Sequence, residues 1–219
     1  MIISRGRRYI FVHIPKTGGT AMSLALEARA KADDILIGDT PKARRRRGRL
    51  KGVQGAGRLW KHSALSDAIG LISLPEAETF FTFTMVRNPW DRMVSYYHWL
   101  REQDFDHPAV HLARRSGFSA FLNAPETCTS ISAAPYDSYL RLPDGRLRCD
   151  AWLRLEHLEE DARPLTAHLG FAVTPLPRAN ESPRPRDWRP FYSEADAALV
   201  ARICAPDIAR FGYGFDPQV

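Results

Sequence analysis

The sequence predicts an α/β protein: a P-loop-like, three-layer fold with a mainly parallel central sheet flanked by helices. Three observations carry this. The strand-like run Tyr9-Ile10-Phe11-Val12-His13 passes through Ile14-Pro15-Lys16-Thr17-Gly18-Gly19-Thr20 into a helical pattern. A second apolar run, Phe80 to Val86, passes through Arg87-Asn88-Pro89 into another helical pattern. Strand and helix patterns then go on alternating, as chains do when they build a parallel sheet covered by helices. In open α/β sheets, ligands bind at the carboxyl ends of the strands. The two turns are therefore where a ligand is expected.

The elements follow in order. The first strand is expected over about residues 8–14 and the first helix over 20–32, with Ala21, Leu24, Ala25 and Ala28 on its buried side. Ile35-Leu36-Ile37 reads as a short strand. Residues 41–58 hold Lys42, Arg44, Arg45, Arg46, Arg47, Arg49 and Lys51 among glycines, and read as an exposed, mobile basic loop. A short helix is expected at 65–71, a strand at 79–86 and a helix at 89–102, with Met93, Val94, Tyr97 and Leu100 facing the core. Residues 117–123 read as helix. Residues 135–149 read as a loop or hairpin around Pro143-Asp144-Gly145. A strand at 151–155 leads into a helix at 157–169. Residues 174–192 are rich in Pro and Arg, and read as a loop closing over a ligand or a stiffened linker. A last helix starts after Ser193, with Asp196 in a capping-box position. The 219 residues suit one domain spanning 1–219, without internal repeats.

The first turn has the chemistry of an anion grip. Gly18 and Gly19 remove side chains, so backbone N–H groups can close on an oxyanion. Thr20 and Ala21 open a helix whose N-terminus favours negative charge. Lys16 adds a full charge, Thr17 and Thr20 add hydroxyls, and Pro15 restrains the entry. An ATP- or GTP-binding P-loop reads G-x-x-x-x-G-K-[ST], with its Lys after the glycines. Here Lys16 precedes them, which argues against such a site. In the second turn, Asn88 suits the N-cap and Pro89 the first helical position. Arg87 offers a planar fork that matches phosphate oxygens. Ser95, two turns into the helix, falls off the core-facing stripe and can join Arg87 on a shared phosphate.

Lys16-Thr17-Gly18-Gly19-Thr20 resembles the 5′-phosphosulfate loop of sulfotransferases that use 3′-phosphoadenosine 5′-phosphosulfate (PAPS), and Arg87 to Ser95 resembles their 3′-phosphate motif R-N-P-x-x-R-x-x-S-x-Y. The phrasing is similar to the carbohydrate branch, which includes the Golgi glycan enzymes and their small bacterial relatives. Weaker echoes are Trp152 to Leu158, Pro177 to Ser182, and Asp207 to Phe215. The resemblance implies transfer of a sulfuryl group from PAPS to a hydroxyl, releasing 3′-phosphoadenosine 5′-phosphate (PAP), without a metal. It implies donor binding by Lys16, Thr17, Gly18, Gly19, Thr20, Ala21, Arg87 and Ser95, with Arg184 from the Pro/Arg-rich segment. Catalysis then falls to Lys16, on the leaving oxygen, and to His62 as general base, because relatives carry a His in a similar K-H-[ST] segment. Glu156 and His98 are the other candidate bases, and His13 reads as packed. Structural readings stand beside these: Arg87 paired with Asp91, Glu156 paired with Arg154 or Arg184, and Trp188, Phe191 and Tyr192 packed rather than stacked on adenine.

A net charge of +6 favours an anionic partner, and the basic run favours an acidic acceptor, with a carbohydrate implied by the resemblance. No nucleic-acid module surrounds the basic run. Cys128, Cys149 and Cys204 are odd in number and form no C-x-x-C, so they read as reduced thiols and not as a zinc cluster. No stretch reads as a signal peptide or membrane span, and a cytoplasmic, bacterial-type enzyme is expected. Two other classes remain open: an ATP-dependent kinase, and a non-catalytic protein that binds anionic glycan or nucleotide.

Overall fold

The computed structural model describes residues 1–179 and 184–216. It has an α/β fold with a central five-stranded mixed sheet flanked by helices. The strands are β1 (Ile2–Ser4), β2 (Tyr9–Val12), β3 (Ile35–Leu36), β4 (Phe81–Val86) and β5 (Ala151–Arg154), in the order β3-β1-β2-β4-β5. β1 is antiparallel to both of its neighbours, whereas β2, β4 and β5 are parallel. The helices are α1 (Gly19–Ala28), α2 (Pro41–Arg46), α3 (Leu74–Thr79), α4 (Pro89–Arg101), α5 (Pro108–Arg115), α6 (Phe118–Asn123), α7 (Pro125–Ser132), α8 (Leu158–Asp161), α9 (Arg163–Leu169), α10 (Glu194–Ile203) and α11 (Ala205–Phe211). The chain divides into two compact units, one of Met1–Val86 with Tyr136–Asn180 and one of Arg87–Pro135 with Glu181–Val219.

The first unit contains the sheet. All four β2 residues are buried, as expected of a central parallel strand covered on both faces. Each such apolar side chain contributes about 1.5–3 kcal/mol by leaving water. Tyr9, Phe11, Phe83, Met85 and Leu153 meet Met22 and Leu26 of α1 and Leu165 of α9 in one core. Thr84 is a polar residue in that buried setting, and its hydroxyl donates to the Val12 carbonyl at 2.7 Å. The second unit is helical. Trp90, Met93, Val94, Tyr97 and Leu100 of α4 pack with Phe118, Phe121, Leu122, Leu199 and Val200. Buried Asp196 joins α10 to α6. It completes a capping box with Ser193 and accepts from Ser119 at 2.9 Å and Asn123 at 2.7 Å.

Several sequence expectations change. The expected first strand is the second, because Ile2–Ser4 pairs with it through the Arg5–Arg8 turn. The basic stretch expected to be a loop starts as α2, with Thr40 as N-cap and Pro41 in the first turn, and continues as a 3-10 turn over Arg47–Leu50. Three of its cations are tied down: Lys42 Nζ donates to the Glu27 carbonyl, Arg46 to the Lys31 carbonyl at 2.8 Å, and Arg49 to the Ala32 carbonyl. The single helix expected over 157–169 is split into α8 and α9, with Pro164 in the first turn of α9. The sequence reading does not include α3, α5 or α7, and it merges nothing in place of α11. Within the 174–192 segment, Asn180, Glu181 and Ser182 lie outside the described residues, along with the resemblance they carry.

Candidate functional site

The turn after β2 is built by backbone conformation. Lys16 (φ 66°) and Gly18 (φ 88°) both adopt left-handed conformations, a pattern that turns successive N–H groups toward one side. Gly18 is the N-cap of α1 and its carbonyl accepts from Ala21 and Met22. A Cβ on Gly18 would press against Leu155 Cδ1 at 3.1 Å and Met85 Cε at 3.2 Å. Gly19 has an ordinary φ, but a Cβ there would overlap the His13 ring. The first turn of α1 carries no acidic side chain of its own.

Two residues of this turn already have partners within the chain. Thr17 is fully buried and its hydroxyl donates to the Ile14 carbonyl at 2.9 Å, so it braces the turn and has no proton to offer an oxyanion. The Ala21 amide donates to the Gly18 carbonyl, so it closes the first helical turn.

His62 stands against the strand that feeds this turn. Its Nδ1 lies 2.8 Å from the His13 carbonyl. A carbonyl only accepts, so Nδ1 carries the proton and Nε2 keeps its lone pair. The His62 ring meets the His13 ring edge-on at 4.6 Å and the Trp60 ring at 5.0 Å. Burial pushes the His62 pKa down to about 3, against a smaller opposing effect of the His13 carbonyl. Burial also holds His13 well below its usual value, reinforced by His62. Both rings are therefore neutral near pH 7. Lys61, next in the chain, pairs with Asp39 at 2.8 Å, and Asp39 also faces Arg47 at 3.8 Å. Asp39, which no sequence signal singles out, ties the basic stretch to the His62 segment.

In the second unit, Asn88 caps α4 by accepting from the Trp90 amide at 3.0 Å, and its own amide donates to the Gly214 carbonyl at 2.9 Å. Arg87 reaches Asp91 Oδ2 through Nε at 2.7 Å and Nη2 at 2.6 Å. Arg184 reaches Asp91 Oδ1 at 2.5 Å. One carboxylate thus orients two guanidinium groups, whose side chains are 14% and 8% exposed. Ser95 is buried one turn beyond Asp91, and His98 follows at the next position of the same face. The structural reading of Arg87 as an Asp91 partner is therefore observed. Arg184 is an inward, paired residue and not an exposed loop cation. Phe191 and Tyr192 pack into the helical core, and the Tyr192 hydroxyl donates to the Trp90 carbonyl at 2.7 Å. In the first unit, Arg154 donates through Nε and Nη2 to Asp161 at 2.8 and 2.9 Å.

Among the described residues, no group of three or more His, Cys, Asp or Glu is placed to hold a metal ion, and no helix is long and apolar enough to cross a membrane. No curated protein matches the chain. Among solved structures, a match is mouse sulfotransferase SULT7A1 complexed with PAP, at 14% identity and a TM-score of 0.47, covering 93% of this chain and 84% of that one. The model of the sulfotransferase family matches residues 1–213, through both units. With nearly its whole length matched, the chain belongs to the sulfotransferase family.

Proposed function

We propose that the protein is a PAPS-dependent sulfotransferase that acts on a hydroxyl of an acidic carbohydrate acceptor. The observation that carries this reading is the turn from Lys16 to Thr20, where two left-handed residues and a helix N-terminus without acidic residues in its first turn form a cradle suited to an anion. The His13 ring, seated where a Cβ of residue 19 would stand, explains why this cradle needs glycine there. In the second unit, Arg87 and Arg184, ordered by Asp91, supply a second anion grip beside Ser95. The donor needs one grip at each phosphate end: the Lys16 turn for the 5′-phosphosulfate, and Arg87, Ser95 and Arg184 for the 3′-phosphate.

PAPS supplies an activated sulfuryl group when bound. Lys16 would offset the charge that grows on the 5′-phosphate oxygen as its bond to sulfur breaks, and the amides of Gly18 and Gly19 would share that charge. His62 Nε2 would hold the acceptor hydroxyl and receive its proton as the new oxygen–sulfur bond forms. Burial keeps the His62 ring neutral near pH 7, so Nε2 has a lone pair with which to accept.

An acidic acceptor is supported by Arg44, Arg45 and Arg47, which are exposed on the stretch that Asp39 links to Lys61 and His62. The free thiols Cys128, Cys149 and Cys204 fit a reducing, cytoplasmic setting. Calorimetric titration with PAP, run beside ATP–magnesium, tests the donor assignment. PAP is expected to bind tightly and ATP weakly; the reverse order would replace this reading with a kinase, and binding of neither would remove both.

A further inference from the structure

The second unit contains buried polar atoms that the proposed reaction leaves unused. His98 Nε2 and Trp188 Nε1 are both buried and lack a hydrogen-bond partner. Such an atom costs about 1–3 kcal/mol when nothing satisfies it, so the His98 nitrogen, which lies on the α4 face of Asp91 and Ser95, points to a ligand that would. Its surroundings say what kind. Asp91, Ser95 and His98 fall at i, i+4 and i+7 on α4, and so share a face. Arg184, held on Asp91, is close enough to depress protonation of His98, after the larger effect of burial and together with Arg101. The ring's remaining contacts are aromatic, against Tyr97 and Phe191. His98 thus continues the line of Arg87, Asp91 and Ser95 by one turn, and its free nitrogen sits in a cationic neighbourhood.

We propose that His98 is a binding residue for the donor's 3′-phosphate, donating a hydrogen bond from Nε2 to a phosphate oxygen beside Arg87 and Arg184. This rests on the reading of that face as the 3′-phosphate grip. The chemistry selects the ligand. Phosphate oxygens accept, so Nε2 must carry the proton in the neutral ring. His98 is therefore a nucleotide residue and not the acceptor's base. Its role separates PAP from AMP, which lacks the 3′-phosphate, and should hardly affect the 5′ end.

The test is calorimetric titration of wild-type protein, His98→Phe and His98→Gln with PAP and with AMP. Phe keeps the ring's volume and loses the donor, whereas Gln restores an N–H at similar reach. His98→Phe is expected to weaken PAP about tenfold, the scale of one hydrogen bond to a charged group, while AMP changes less than twofold and His98→Gln recovers most of the loss. Unchanged PAP affinity in His98→Phe, or equal losses for PAP and AMP, would overturn the proposal. If His98→Phe does not fold, His98→Gln decides: near-wild-type selectivity for PAP supports the hydrogen bond, and AMP-like affinity for PAP opposes it. A wild-type protein that binds PAP no better than AMP would instead remove the 3′-phosphate reading itself, and this proposal with it.

Discussion

His62 donates its Nδ1 proton to the main-chain carbonyl of His13 across 2.8 Å. That single bond fixes which nitrogen of His62 faces outward as a lone pair, and it does so from the strand that leads into the Lys16 turn. The position of a base is thereby linked to the position of the anion cradle through one short segment of backbone. His62→Ala is expected to lower kcat by about 10²–10⁴, the usual share of a general base, with PAP affinity within twofold of wild type. Full turnover in the variant would transfer the base role to Glu156.

The same residue has a consequence for stability. The His62 pKa falls from about 6.5 in the unfolded chain to about 3 when folded. Between those values the unfolded state binds more protons, so stability rises with pH. The contribution is complete above about pH 6.5 and is lost as pH falls toward about 3. Buried His13 acts in the same direction. Urea unfolding at pH 7.5 and pH 5 is expected to show a larger loss for wild type than for His62→Gln. Equal losses would mean that the ring is hydrated and protonates freely at pH 5.

The turn before α1 was the most legible part of the candidate site because it is local: Pro15, Lys16 and the glycine pair define it within a few residues. The Asn88-Pro89 start of α4 and the Ser193–Asp196 box were readable for the same reason. Bridges that depend on tertiary structure were not. His62 and His13 are 49 residues apart, and Arg184 and Asp91 are 93 apart. β1 was hidden because two isoleucines and a serine show no period; antiparallel pairing with β2 makes them a strand. α5 was hidden because its buried side comprises only Val110 and Ala113 amid polar residues. The arginine run concealed α2, although Thr40-Pro41 was a start signal that composition outweighed.

Gly19 tests whether the cradle and the His13 ring are packed as one piece. Its φ is ordinary, so Gly19→Ala meets no backbone penalty and the expected effect is the clash with His13. His13 is buried and cannot move aside without disturbing His62. The substitution is expected to cost about 1–3 kcal/mol, the range for overpacking a filled interior, and to reduce kcat as well. Gly18→Ala makes a useful comparison, because its penalty comes mainly from the left-handed backbone, about 1–2 kcal/mol. Wild-type stability and turnover in Gly19→Ala would show that the ring yields.

Lys16→Ala separates charge from folding. The fold is expected to survive, because the backbone of the turn is braced by Thr17 on the Ile14 carbonyl and by Gly18 on the first amides of α1. The loss should appear in kcat, about 10²–10³, as for removal of one group that stabilises a developing oxyanion. Turnover at the wild-type rate would take Lys16 out of the reaction.

Asp91 holds the opposite position to Lys16: it is a negative charge inside a proposed phosphate site. Its two oxygens are divided between Arg87 and Arg184, and all three side chains are mostly buried. Removing one partner from such a group leaves charge uncompensated, which costs on the order of 3 kcal/mol. Asp91→Ala is therefore expected to lower stability and to let both guanidinium groups turn away. A phosphate would replace part of the missing negative charge. Because Asp91 no longer competes with the phosphate for the two cations, PAP should bind Asp91→Ala more tightly than the wild type and raise its melting temperature by more. An equal rise in both proteins would show that Arg87 and Arg184 do not meet the bound phosphate, and Asp91 would be left as a purely structural anchor for the start of α4.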